Sequence, residues 1–171
     1  MRKIPVFVSS PTILSKEQEA KRKVIIKLLD ELQLEDRALG RSDYAKDYPL
    51  KEVYVIAKHC AGGIILGFEQ LFIEKGLKKR NTGEEKIIEA KENLILPTPW
   101  NQLEAGILYG LKLPLIIFKE KGIEGGIFDY GISDVFIHEM PPVKPNEAKY
   151  GELRQVFLKW FGEVANKYYE Y

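Results

Sequence analysis

A single cysteine, Cys60, stands in the whole 171-residue chain. That excludes an intramolecular disulfide. With only His59 and His138 beside it, the chain has no cysteine-based zinc pattern and no other metal constellation. Cys60 reads as a small buried hydrophobe rather than a reactive thiol. His59, its direct neighbour, cannot share its face on a helix or a strand. Long apolar runs are also lacking: none approaches the ~20 residues that span a bilayer. The opening "MRKIPVFVSS" has no apolar h-region and no small-residue cleavage site. The expected location is the cytoplasm, with no membrane partner. Charge of one sign is lacking too. Lys plus Arg number 26 against 25 Asp plus Glu, and the net +1 gives no electrostatic footprint for nucleic acid. Three glycine signatures are missing as well. Without G-x-G-x-x-G after the first strand, a dinucleotide redox domain is not expected, and without G-x-x-x-x-G-K-[ST] neither is an NTPase P-loop. Without G-x-S-x-G, an α/β serine hydrolase drops out. No cofactor is called for.

What is present suits one domain over 1–171, long enough to bury a core without staples. "IPVFVSS" reads as a buried first strand, and "SKEQ" from Ser15 is a capping box opening a helix with Val24, Ile25, Leu28, Leu29 and Leu32 on one stripe. A short strand is predicted near Arg37 to Leu39, then a polar loop. "LKEVYVIAKHCA" predicts a helix with Val53, Ile56 and Ala57 inward, and "GGIILGF" a central strand. Residues 70–96 read as an insertion, either a hairpin or a small helical excursion around its N-T-G turn. Its Lys78, Lys79 and Arg80 fit a solvated loop tip. "LPLIIFKE" is a further buried strand, a last strand falls around Val135 to His138, and "PPVKPNEAK" is a stiff linker. The final helix carries Leu153, Val156, Phe157, Trp160, Phe161, Val164 and Tyr168 as a core stripe. Strands alternating with helices predict an α/β fold of about five strands. The expected sheet is three-layered and Rossmann-like, of flavodoxin type, mostly parallel, with helices on both faces.

In such sheets ligands bind beyond the carboxyl ends of the strands. Ser9, Ser10 and Pro11 follow the first strand, Gly67 and Phe68 the central one. Thr98, Trp100, Asn101 and Glu104 open the helix in "PTPWNQLEAGILYG". Asp43 and Asp129 lie in loops placed at the same end. The pair Gly125–Gly126 serves a turn or a phosphate nest, and Asp43–Tyr44 a loop or a substrate contact. Thr98 suits an N-cap and Pro99 the first helical position. Trp100 and Glu104, four apart, share a face. Gly106 and Gly110 make a flat stripe for close approach to the sheet. Glu104 faces either water or something that needs a carboxylate, and Trp100 either packs in the core or stacks on a ligand. Ser9 and Ser10 either cap their loop or touch a ribose or phosphate.

The W-x-x-x-E of "PTPWNQLEAG", with "VFVSS" at the first strand, resembles the catalytic segment of enzymatic TIR domains, which cleave NAD. "LEAGILYGLKLPLIIF" is similar to nucleoside 2-deoxyribosyltransferase-like proteins, which place a Glu at the head of a helix running into an apolar strand. The likeness covers residues 4 to 120 in element order. It implies Glu104 as the catalytic carboxylate, with Trp100 and Thr98 as the pocket tryptophan and the hydroxyl residue before it. Ser9 and Ser10 become the first pocket loop. It also implies self-assembly and a role in bacterial defence or signalling. Asn101 departs from the cysteine-like position of the TIR motif, and the Asp that often precedes the transferase Glu is absent from "PTPWNQ".

The chemistry is consistent with that likeness. Breaking a ribose–base bond develops oxocarbenium character, which a carboxylate under the sugar stabilises. Nicotinamide leaves NAD as a neutral molecule, so one carboxylate suffices and NAD is a substrate rather than a cofactor. Adenine needs protonation, hence a second acid; Asp43 and Asp129 are the candidates unless they serve their turns. The readings left open are an N-glycosidic-bond enzyme, a nucleotide sensor without turnover, a nucleoside deoxyribosyltransferase, and a scaffold.

Overall fold

The structure, a computed structural model, describes residues 3–43, 46–89 and 91–170; Tyr44, a candidate contact, lies outside them. Five strands form one parallel sheet: β1 (Ile4–Ser9), β2 (Leu34–Arg37), β3 (Gly63–Gly67), β8 (Leu115–Lys119) and β9 (Ile137–Glu139), in the order β2-β1-β3-β8-β9. The two-residue period of a strand sends alternate side chains to opposite faces. Val6 and Val8, Ile64 and Leu66, and Ile116 and Phe118 enter one core. Phe7, Ile65 and Ile117 enter the other. Helices α1 (Lys16–Glu31) and α4 (Glu147–Tyr169) cover the first face with Ile25, Leu28, Leu29, Leu153, Phe157, Trp160 and Val164. Helices α2 (Pro49–Lys58) and α3 (Pro99–Gly110) cover the second with Val53, Ile56, Ala57, Ala105 and Leu108. This is the three-layer α/β arrangement of Rossmann and flavodoxin type. No helix among the described residues is long and apolar enough to cross a membrane.

Strand boundaries moved where local geometry overrode pattern. The second strand is Leu34–Arg37, not Arg37–Leu39, because Gln33 at φ 56° turns the chain straight out of α1 into pairing with Ile4. Leu39 keeps only an isolated bridge to Asp43. The last strand lies at Ile137–Glu139, where it finds β8 partners, rather than Val135–His138. The capping box at Ser15 forms both bonds with Gln18. At the other end, Asn146 caps α4 by accepting from the Lys149 N–H, so the helix starts inside the predicted linker.

The insertion is a hairpin arm. β4 (Leu71–Ile73) pairs antiparallel with β7 (Leu94–Leu96), and β5 (Gly76–Lys78) with β6 (Lys86–Ile88), one pair nested within the other. Lys79 and Asn81 adopt positive φ at the tip. Lys78 pairs with Glu124, and Lys79 with Glu84.

Candidate active site

The sheet order reverses direction between β1 and β3: the chain steps outward to β2, then returns past β1 to β3. Beyond the carboxyl ends of strands at such a reversal, adjoining loops part and leave a crevice. A cleft of about 440 Å³ opens there, lined by Ser10, Pro11, Thr12, Ile13, Leu39, Gly40, Pro49, Gln70, Thr98, Trp100 and Glu104. That volume lies within the roughly 300–1,000 Å³ of small-molecule sites.

Helix α3 presents the carboxylate. Thr98 caps it by accepting from the Trp100 N–H at 3.3 Å, and Pro99 supplies the first turn without an N–H to satisfy. Asn101, Glu104, Ala105 and Leu108 form the i, i+3, i+4, i+7 stripe that a helix turns inward, and all four are buried. Glu104 therefore lies on the sheet-facing stripe, 9% exposed, where the sheet has ended and the cleft begins. Gly106 and Gly110 sit opposite. Nothing lies within 4 Å of where their Cβ atoms would be, so the expected close approach to the sheet is corrected: both face outward.

Burial penalises the charged form of Glu104 and raises its pKa from 4.5 to about 7. Hydrogen bonding from the Ser9 hydroxyl favours the ionised form and opposes the shift as the smaller effect. Ser9 is fully buried, and its Oγ accepts from Asn101 Nδ2 at 2.7 Å, which leaves the hydroxyl proton free to be donated. No charged group contributes to the shift. Among the described residues lining the cleft, Glu104 is the one titratable side chain. Asn101 Oδ1 is buried and has no hydrogen-bond partner among the described residues. Trp100, 40% exposed, keeps much of its indole open to solvent.

Of the residues expected from sequence, Ser10, Thr98, Trp100 and Glu104 share the cleft, and Ser9 and Asn101 support Glu104 from below. The others are held elsewhere. Gly67 backs onto Phe128, whose ring would lie 2.5 Å from an added Cβ, and Phe68 is fully buried in the α1–α4 core. Asp43 accepts from Arg37 Nε at 2.9 Å and pairs with Nη2, and this partner holds its carboxyl below the ordinary range. Asp129 accepts from the Gly125 N–H at 2.8 Å, a turn bond. Gly125 and Gly126, at φ 102° and 58°, open a short 3-10 turn, Gly126–Phe128. Gln102 clamps that turn by donating to the Gly125 carbonyl and accepting from the Ile127 N–H. Among the described residues no group of three or more His, Cys, Asp or Glu is placed to hold a metal.

Pro11, a candidate from the loop after the first strand, also lines the cleft; Thr12, Ile13, Leu39, Gly40, Pro49 and Gln70 complete it without having been singled out as site residues. Pro11 to Ile13 and Gln70 simply continue the loops after β1 and β3. Leu39 and Gly40 would have followed from the same rule had β2 been bounded at Arg37. Pro49 starts α2, whose N-terminus lies at that end of the sheet.

No family model and no curated protein matches the chain. Among solved structures, the CMP N-glycosidase of Clostridium botulinum is similar at a TM-score of 0.50 and 15% identity, covering 90% of this chain and 98% of that one. The diflavin flavoprotein A3 of Nostoc sp. is similar at a TM-score of 0.47 and 14% identity, covering 96% and 94%. The likeness is one of fold.

Proposed function

We propose that the chain breaks the N-glycosidic bond of a nucleotide or nucleoside, with Glu104 as the carboxylate beneath the sugar. The observation that carries this reading is a glutamate buried without a countercharge at the switch-point cleft of the sheet. Burying an unpaired carboxylate costs stability, and such perturbed groups in clefts concentrate at functional sites. The similar fold of the CMP N-glycosidase supports the same class of bond.

Within that class we favour NAD. Its nicotinamide ring is a pyridinium cation, and among the described cleft-lining residues the one charge is negative. The cation would supply the countercharge Glu104 lacks, and the open face of Trp100 would attract it by cation–π interaction. The bond from ribose C1′ to the pyridinium nitrogen breaks, and its electron pair leaves with the nitrogen as neutral nicotinamide. The ribosyl cation forms against the ionised Glu104, and water adds at C1′ with loss of a proton. No second acid is required, in keeping with Asp43 and Asp129 being held outside the cleft.

The test incubates concentrated protein, since the TIR likeness implies self-assembly, with NAD, CMP and deoxynucleosides, followed by chromatography for free base. Release of nicotinamide that vanishes in Glu104→Gln supports NAD cleavage. Release from CMP or a deoxynucleoside alone moves the substrate and keeps Glu104. Calorimetric binding without release makes the chain a sensor, and neither binding nor release overturns the reading.

A further inference from the structure

The cleft wall built by the Pro11–Ile13 loop has no strand or helix of its own. Its position is set by the loop that follows β2. Arg41 Nη2 donates to the Pro11 carbonyl at 2.8 Å and the Thr12 carbonyl at 3.3 Å, and Nε donates to the Pro11 carbonyl at 3.3 Å. Its Nη1–Nη2 edge meets the Glu19 carboxylate of α1, Nη2 at 3.1 Å and Nη1 at 3.4 Å. Arg41 is thus a planar brace that spends its donors on two carbonyls and one carboxylate, a use that the guanidinium fork suits and an ammonium does not. Immediately before it, Gly40 sits at φ 77°, and a Cβ there would lie 2.9 Å from Thr12 Cγ2. The two loops therefore pack backbone against side chain. Pro11, Thr12, Leu39 and Gly40 all line the cleft that Glu104 faces, while Arg41 itself does not.

We propose that Arg41 is a positioning residue for the Glu104 cleft, acting by clamping the Pro11–Thr12 wall against the loop after β2. The proposal rests on the reading of Glu104 as the reacting carboxylate. Its first readout needs no turnover, so the two can fail separately. With the clamp in place, the wall keeps water off Glu104. With the clamp gone, the wall loosens and the carboxylate hydrates. Ser9 of β1 bonds Glu104 from below, and the other polar side chains that line the cleft with it among the described residues are Ser10, Thr12, Gln70, Thr98 and Trp100. None of them titrates in the working range, so a change in its midpoint reports hydration.

The experiment titrates the Glu104 side-chain carboxyl by carbon-13 NMR, its signal identified by its absence in Glu104→Gln. It does so in the full chain, in Arg41→Met, in Arg41→Lys, and in Val164→Ala as a destabilised control buried under α4 on the opposite face. Loss of the wall should lower the midpoint by about one pH unit in Arg41→Met as desolvation is relieved. Arg41→Lys, which keeps the charge and a single donor nitrogen but not the planar fork, should shift it less, and Val164→Ala should leave it in place. In the base-release assay, Arg41→Met should raise KM about tenfold with kcat within about twofold, the pattern of lost ground-state positioning. An unmoved Glu104 midpoint in folded Arg41→Met overturns the proposal. An equal shift in Val164→Ala also overturns it, since general loosening would then explain the effect. Should Arg41→Met fail to fold, Arg41→Lys takes its place: a lowered midpoint there supports the clamp and an unmoved one overturns it. A shifted midpoint with no base released from any substrate keeps the clamp and removes the reaction.

Discussion

Replacing Glu104 by Gln should make the protein more stable at pH 8 and leave it nearly unchanged at pH 4. The folded-state carboxyl titrates near 7, against 4.5 for an ordinary glutamate. Below 4.5 both the folded and the unfolded chain hold the proton, and the group costs nothing. Between 4.5 and about 7 the folded chain keeps a proton that the unfolded chain has released. Stability therefore falls as pH rises through that window, by ~1.4 kcal/mol per pH unit. Across the window the loss sums to about 3 kcal/mol, fully present above pH 7. A neutral glutamine of the same shape has no such loss. At pH 8 the variant should gain up to about 3 kcal/mol, or roughly 6–12 °C in midpoint temperature for a chain of this size. Urea unfolding of both proteins at pH 4, 6 and 8 measures the difference. Every other titrating group acts equally in both and cancels. Parallel pH curves, or a variant less stable than the parent at pH 8, would refute the claim that Glu104 is buried without a countercharge. A gain in stability with loss of base release would mark Glu104 as a residue kept for function at the expense of the fold.

Three further outcomes follow from the same geometry. Ser9→Ala removes the hydroxyl that favours ionised Glu104 and leaves Asn101 Nδ2 unpaired; stability should drop by about 1–3 kcal/mol, and the acid limb of the kcat/KM profile should move to higher pH. Asp43→Asn breaks the side-chain pairing with Arg37 and keeps the backbone bonds through which Asp43 meets Leu39 and Gly40; the side chain itself bonds Arg37 and Ser42, neither of which lines the cleft. Base release should stay within about threefold, while stability falls by about 1 kcal/mol at neutral pH. Because Arg37 holds Asp43 below the ordinary carboxylate range, the deficit should vanish as acid protonates the native carboxyl. A large loss of activity would instead reinstate Asp43 as an acid. Gly106→Ala fills open space on the exposed side of α3 and should raise the melting midpoint, gaining about 0.5–1 kcal/mol in helix propensity; a loss would mean that this face is covered.

The sequence by itself determined the elements whose pattern is local. Short continuous apolar runs such as "IPVFVSS" and "GGIILGF" marked buried strands, because a strand covered on both faces is apolar at nearly every position. The Ser15–Gln18 box and the Thr98–Pro99 pair marked helix starts because orphan N–H groups need those partners. The position of Glu104 after a strand and four residues from Trp100 was legible in the same way. Which way Glu104 points was not. The stripe of α3 that turns inward is chosen by Leu108 and Ala105 packing under the sheet, and that choice carries Asn101 and Glu104 with it and leaves Gly106 and Gly110 outside. Nor could sequence spacing reveal that Arg37 claims Asp43, that Phe128 fills the space over Gly67, or that Arg41 braces Pro11 thirty residues away. Those are contacts between segments remote along the chain. They exist only once the strand order β2-β1-β3-β8-β9 has placed the loops after β1 and β2 side by side.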